Sequence, residues 1–264
     1  MQTEFQAIIL GIIQGLTEFL PVSSSAHLTL TPWLFGWSDP GLAFDVALHL
    51  GSLVALLVYY RRDWITIIKG AVAGDRRGRR LLVLLIAASV PGAILGFLFE
   101  KQAETVFRSP LLIAVTLSVM GLALWIFDLA APQNRELDDV TLGNALLIGV
   151  AQAFALIPGV SRSGATITVA RVLGINRQDA ANFSFLMSTP IIAGAGLLKA
   201  HEMLRSGLTS ELTLGFVASA VFSLAAIALL ISYVRTRTYR VFAWYRLALA
   251  ALIIIVILSR AGHL

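Results

Sequence analysis

Apolar residues run along this chain in blocks of two kinds. Six blocks, near residues 42–60, 81–99, 111–129, 183–199, 213–234 and 242–259, carry little polar interruption. Each approaches the roughly 20 helical residues that cross about 30 Å of hydrocarbon, so they predict six membrane-spanning helices. Two shorter runs, 4–20 and 142–157, meet a proline within or just after their ends and pass into hydroxyl-rich stretches, PVSSSAH from Pro21 and PGVSRSGAT from Pro158. Proline removes a backbone donor and clashes with the preceding turn, so each helix should end there. At membrane depth, broken backbone persists only when buried in protein or facing a wet cavity. These segments are therefore read as re-entrant helix-loop-helix hairpins over 4–35 and 142–173.

The hairpins echo each other. Gln14, Ser23 and Ser25 of QGLTEFLPVSSSAH fall on Gln152, Ser161 and Ser163 of QAFALIPGVSRSGAT at one constant offset of 138 residues. Downstream, FDVALHLG from Phe44 lines up with FSFLMSTP from Phe183 after a single-residue shift. A weak repeat built on broken apolar helices marks a membrane protein that binds something polar between its halves. Three spans separate the hairpins, and three is odd, so one hairpin enters from each side and the repeat is inverted. The expected fold class is an all-α integral membrane protein with six transmembrane helices plus two re-entrant hairpins in an inverted repeat. It forms a single membrane domain over 1–264, with repeat one at about 1–100 and repeat two at about 141–260.

Composition agrees with a bilayer as solvent: 58% of residues are hydrophobic, 13% are charged, and the mean hydropathy is +0.84. That is too much apolar side chain for one water-soluble core of this length. There are no cysteines, which excludes disulfides and thiolate metal sites. The first Lys or Arg is Arg61, so the basic region of a secretory signal peptide is missing and the N-terminus is expected to stay in the mature protein. The net charge of +5 follows from loop bias, and nucleic acid is not an expected partner. Arg61, Arg62, Lys69, Arg76, Arg77, Arg79 and Arg80 face only Asp63 and Asp75 in one loop, which the positive-inside rule assigns to the cytoplasm; that loop is expected to touch anionic lipid as well. Threading from there puts Arg235, Arg237 and Arg240 on the same side and both termini outside, with the first hairpin entering from outside and the second from the cytoplasm. Trp33, Trp37, Tyr59, Tyr60, Trp64, Tyr239, Trp244 and Tyr245 are expected to anchor segment ends at the interface. Gly92 with Gly96, and Ala193 with Gly194 and Gly196, offer flat faces for close helix packing.

Chemistry concentrates in the hairpin loops. Gln14 and Glu18 are four apart and share one helix face. An ionisable group within a membrane is expensive and rarely kept without a partner or a task. Beyond Pro21, Ser23, Ser24 and Ser25 open a second short helix with His27 in its first turn. Serines there serve as caps, yet a carboxylate, a hydroxyl and an imidazole within ten residues also supply base, nucleophile and proton carrier. The second loop brings the opposite charge: Ser161, Ser163 and Thr166 offer hydroxyls, and Arg162 offers a cationic fork suited to phosphate. Free amides at two helix starts, with one arginine, form a cradle for a diphosphate. The competing structural role for Arg162 is a buried pair with Glu18. Asp45 and His49 line the mouth of the same site, hold a cation through Asp45, or form a hydrogen-bonded pair near the surface. His201, Glu202 and Arg205 read as a solvated outer loop, and His263 as a free terminus.

A glutamine or glutamate four residues before Glu18, then PVSSxxH and PGxSRSxxT, closely resembles the bacterial undecaprenyl-diphosphate phosphatase family, also known for bacitracin resistance. The resemblance covers essentially the whole chain. It implies an integral inner-membrane phosphatase that removes the terminal phosphate of undecaprenyl diphosphate and regenerates the monophosphate carrier for peptidoglycan synthesis, with a site open to the periplasmic face. It also implies a divalent cation, Mg2+ or Ca2+, with Glu18 and Asp45 as candidate ligands. Carried onto this sequence, the family's functional positions fall on Gln14, Glu18, Ser24, His27, Ser161, Arg162 and Thr166. Gln14 stands where many members have Glu, which removes one ligand or base. Attack by Ser24, by His27, or by water activated by Glu18 all remain open. The expected partners are a polyprenyl diphosphate lipid and the membrane, with a homodimer left open. The rival is a secondary transporter or flippase for a polyprenyl phosphate, since inverted repeats with a midplane site also build carriers.

Overall fold

Reciprocal caps start both hairpins. The Gln6 amide donates to Thr3 Oγ1 while the Thr3 amide donates back to the Gln6 side chain, which opens α1 (Glu4–Phe19). Thr141 and Asn144 repeat the arrangement at α7 (Leu142–Ala153). The computed structural model describes residues 3–99, 106–206 and 209–262, and among them it contains eleven α-helices and no strand. The others are α2 (Ser24–Phe35), α3 (Leu42–Tyr59), α4 (Arg61–Val72), α5 (Arg76–Leu98), α6 (Pro110–Ala130), α8 (Arg162–Val172), α9 (Arg177–Ser206), α10 (Ser210–Val234) and α11 (Arg240–Arg260).

Five of these, α5, α6, α9, α10 and α11, are long and apolar enough to cross a membrane, and α3 with α4, bent by 73°, forms a sixth candidate. All six expected spans thus fall on helices. The protein is an all-α, multi-pass membrane protein. Its outward surface is apolar, with Phe97, Leu197 and Val221 among many exposed large side chains, while the interior gathers Gln, Ser and charged groups. In hydrocarbon that inversion is favourable, because apolar surface gains little by leaving lipid and buried polar groups pair with one another.

Polar contacts sort the helix ends into two sets. At one end Arg77 pairs with Asp138 at 2.7 Å, Arg80 donates to the carbonyls of Asp138 and Val140, and Arg171, Arg177 and the Tyr239 amide converge on the buried Asp128. At the other, Arg108 joins Asp39 to Asp45, and Arg260 donates to the Trp33 carbonyl while stacking over its ring. Hairpin α1–α2 returns to the second end through Trp33, and hairpin α7–α8 leaves and rejoins the first through Val140 and Arg171. The hairpins therefore run in from opposite ends and meet tip to tip.

Close backbone approach holds each hairpin to a spanning helix. A Cβ on Gly11 would lie within contact of the Gly215 carbonyl of α10, Gly15 faces Ser219 and Ser223, and Gly149 sits on the Ala88 carbonyl of α5. Of the flat faces expected from the sequence, Gly92 packs near Gln152 and Gly196 against Leu50, whereas Gly96 has only Leu156 at 3.9 Å and Gly194 has nothing within 4 Å.

Three other expectations change. The basic segment 61–80 is helical, forming α4 and the first turn of α5, because Asp75 caps the latter by accepting from the Gly78 amide. Tyr60 and Tyr239 are buried and bond Asn182 and the Arg177 carbonyl, so they are internal pins and not interfacial anchors. His201 is exposed but belongs to α9, which runs on to Ser206, so it does not lie in a loop; the side chains of Glu202 and Arg205, and all of His263, lie outside the described residues.

Candidate active site

Both hairpin tips turn on a serine held in an uncommon conformation. Ser23 has φ 77° and Ser161 has φ 68°, the only non-glycine residues with positive φ among those described. L-residues rarely adopt this region, and they persist there when the surroundings fix them. The fixing is visible. Ser161 Oγ accepts from the Gly164 amide, starting α8; Ser23 Oγ accepts from the Ala26 amide, starting α2, and from the Gly159 amide of the opposite tip at 3.0 Å. Ser163 Oγ donates across to the Leu20 carbonyl.

Arg246 of α11 locks the tips together from behind. It is fully buried, and its guanidinium donates to the carbonyls of Pro21, Gly159, Val160 and Leu117. Two helix starts are thereby presented side by side.

In front of them lies a cavity of about 260 Å³. Glu18 occupies its floor, 5% exposed, and both carboxylate oxygens are engaged. Oε1 accepts from Arg162 Nη2 at 2.6 Å; Oε2 accepts from Ser24 Oγ at 2.5 Å and Gln14 Nε2 at 3.0 Å and lies 3.2 Å from His49 Nε2. His49 Nδ1 donates to the Asp45 carbonyl, so Nε2 can approach a carboxylate only if the His49–Glu18 pair holds a further proton between them. Asp45 Oδ2 is bound by Arg108, while Asp45 Oδ1 is buried with no hydrogen-bond partner among the described residues. Arg162 Nη1 is likewise buried and has no hydrogen-bond partner among them.

Of the residues singled out in the sequence, Glu18, Ser24, Ser25, Asp45, His49, Ser161 and Arg162 line this cavity. Gln14, Ser23, Ser163 and Thr166 lie behind it: Gln14 braces Glu18 and Ser52, Ser23 and Ser163 tie the tips, and Thr166 Oγ1 bonds Arg162 and Ser163 carbonyls and Ser184. His27 is not brought to Glu18. Its Nδ1 donates to the Ser23 carbonyl and its Nε2 meets the Tyr245 hydroxyl, both at 2.7 Å, with the two rings stacked. The histidine on the carboxylate is His49. Arg108 and Gln152 also line the cavity, and neither was a candidate from the sequence; Arg246 was missed too, although a charge inside the run 242–259 is a signal in itself.

The residues fit a divalent cation only in part. Among those described no group of three acidic or histidine side chains could hold one, and the carboxylate oxygen left free is Asp45 Oδ1. Such an ion would take most of its ligands from substrate phosphate and water, as Mg2+ commonly does.

A family model described as bacitracin resistance protein BacA matches residues 7–252. An undecaprenyl-diphosphatase of Moorella thermoacetica is 53% identical over 255 residues, covering 96% of this chain and 98% of its own length. Proteins of the same name from Pelotomaculum thermopropionicum and Gemmatimonas aurantiaca are 48% and 50% identical, each alignment covering 98% of this chain and 98% and 99% of the relative. The chain belongs to the bacitracin resistance protein BacA family.

Proposed function

We propose that this protein hydrolyses undecaprenyl diphosphate to undecaprenyl phosphate and inorganic phosphate, recycling the lipid carrier of cell-wall synthesis. The relatives' name gives the substrate, and one observation carries the chemistry: the Ser24 hydroxyl, at a helix start, donates at 2.5 Å to a carboxylate whose other oxygen is held by Arg162. A carrier that binds and releases an anion has no use for a hydroxyl poised on a base.

In the proposed reaction Glu18 takes the Ser24 proton as Oγ attacks the terminal phosphorus. The bond from that phosphorus to the bridging oxygen breaks, and undecaprenyl phosphate leaves. Glu18 passes the Ser24 proton to the departing undecaprenyl phosphate and is a carboxylate again. It then takes a proton from the water that attacks the phosphoserine and hands that proton to Ser24 Oγ as the phosphorus–Oγ bond breaks and phosphate is released. Charge on the equatorial oxygens is met by Arg162 Nη1 and by the free amides and dipoles at the starts of α2 and α8. A divalent cation, if held by Asp45, would add further neutralisation of the phosphate charge. His27 is a positioning residue in this scheme, because both ring nitrogens are engaged away from the cavity.

Orientation follows from charge. The end bearing Arg61 to Arg80 and Arg235 to Arg240 is assigned to the cytoplasm, and the cavity mouth at Asp45 and Arg108 lies towards the other end. The site then opens to the outer face of the cell membrane, with the two hairpins re-entrant and related as an inverted repeat.

Purified protein in detergent, given undecaprenyl diphosphate labelled at the terminal phosphate, is expected to release phosphate and to trap an acid-stable phosphoenzyme that Ser24→Ala lacks. Phosphate release without any trapped species would replace Ser24 by Glu18-activated water, and an acid-labile adduct would point to a histidine, His49 in the cavity or His27 turned away from Tyr245. Transport across sealed vesicles with no release in detergent would establish the carrier instead.

A further inference from the structure

The position equivalent to Gln14 in the second hairpin, Gln152, makes no side-chain hydrogen bond among the described residues. Gln14 Nε2 donates to Glu18 and to Ser52, which in turn bonds Ser219 and Ser223. Gln152 is 4% exposed, and among the described residues neither its Nε2 nor its Oε1 meets a partner. Buried amides are nearly always hydrogen-bonded, and an unmet one costs stability, so a retained orphan asks for a ligand. The amide lines the same cavity as Glu18, Ser24 and Arg162, whose Nη1 is also unmet. Room for it comes from Gly92: a Cβ there would stand 3.1 Å from Gln152 Nε2 and 3.5 Å from Gln152 Cγ.

We propose that Gln152 is a head-group ligand of the substrate: its Nε2 donates to a phosphoryl oxygen of the diphosphate beside the free Nη1 of Arg162. Oε1 accepts from the water shell of the same group. A neutral amide suits this place, since it adds a donor to the anion without adding a charge that would compete with Arg162 for Glu18. The contact is made to the bound diphosphate and persists through the reaction, so it contributes uniform binding and acts on KM more than on kcat. The proposal rests on the phosphatase reading for its substrate, but the ligand chemistry needs only a diphosphate.

Two measurements test it. In the first, undecaprenyl diphosphate kinetics are compared for the wild type, Gln152→Leu and Gln152→Glu in detergent. Gln152→Leu is expected to raise KM about 10-fold or more, the scale of one hydrogen bond to a charged group, with kcat within about 3-fold of wild type. Gln152→Glu is expected to raise it further by placing a second carboxylate against the anion. In the second, methylene diphosphonate, an uncleavable diphosphate, is titrated by thermal shift; it should raise the unfolding temperature of the wild type and do so only at about 10-fold higher concentration in Gln152→Leu. Unchanged KM and unchanged diphosphonate binding in a folded Gln152→Leu would overturn the inference and leave the amide a hydrated structural group, as would a fall in kcat at constant KM. A wild type that binds diphosphonate through Gln152 but releases no phosphate would overturn the phosphatase reading alone. A wild type that does neither would overturn both.

Discussion

At the tip of the first hairpin a serine at φ 77° starts α2; at the tip of the second, 138 positions on, a serine at φ 68° starts α8. The likeness extends along both arms. Thr3 and Thr141 cap them, Gly11 and Gly149 seat them on neighbouring backbone, and the carbonyls of Pro21 and Gly159 share the same arginine, Arg246. What differs is the chemistry mounted on this common frame. Where the first tip has Glu18, Ser24 and His27, the second has Leu156, Arg162 and Ala165. Backbone positions that set geometry match, and at the cavity Glu18 against Leu156 and Ser24 against Arg162 have diverged into an acid with a hydroxyl on one side and a cation on the other. A duplicated frame placed head to head thus gives two helix starts converging on one point, and only one of them needs to carry the nucleophile.

The comparison breaks most sharply at the divergent positions. Glu18→Gln and Ser24→Ala should each reduce phosphate release on the order of 10³-fold or more, the range expected for loss of a base or nucleophile, while leaving the folded protein intact. Arg162→Ala should cost nearly as much, because it removes both the neutralising cation and the partner that orients Glu18. Steady-state phosphate release on protein shown monodisperse by gel filtration is the measurement. Near wild-type turnover in Glu18→Gln would remove Glu18 from the chemistry.

Arg246 tests whether the shared frame matters. Among the described residues its buried guanidinium has no carboxylate partner; it meets four carbonyls, two of them at equivalent turns. Replacing it by methionine leaves those carbonyls unmet, and about 3 kcal/mol of stability should be lost, within the range for breaking a buried network. Activity should fall roughly 100-fold, since an ångström of misplacement between Ser24 and Arg162 is costly. Thermal unfolding and turnover measured on the same preparation check both. A stable, fully active Arg246→Met would mean that the Ser23 and Ser163 contacts alone hold the tips.

How much of this was legible depended on what kind of fact the sequence carries. The spans were readable because lipid imposes a length of apolar residues, and the hairpins because proline and hydroxyl residues interrupt such runs. The Gln14 to Glu18 bond follows from a four-residue spacing on one helix, and it is present. Spacing says nothing about which distant helix covers that face. His27 is nine residues from Glu18 yet turns to Tyr245 on α11, while His49 reaches Glu18 from α3. Arg246 announced itself as a charge within a span, but no pattern tells that its partners are carbonyls of two loops. The segment 61–80 was read for its charges, and its helix, with Ile67 buried against the bundle, was overlooked behind them.

The finest distinction between the hairpins lies in their two strained serines. Glycine adopts positive φ without penalty, so a serine-to-glycine change relieves strain and removes a hydroxyl at the same time. Ser161 Oγ serves within its own loop, capping α8 and meeting Ser163. Losing it trades a cap worth roughly 1 kcal/mol against relief of a similar size, so Ser161→Gly should leave stability within about 0.5 kcal/mol. Ser23 Oγ also accepts the Gly159 amide from the other tip. Ser23→Gly strands that buried donor and should destabilise by about 1 kcal/mol more than Ser161→Gly, with a modest loss of turnover as the tips loosen. Denaturation of the two variants side by side reads the difference directly. Equal losses would mean that the Ser23 bond between the tips adds nothing beyond the cap, and that Arg246 and the Ser163 contact carry the register of the two halves.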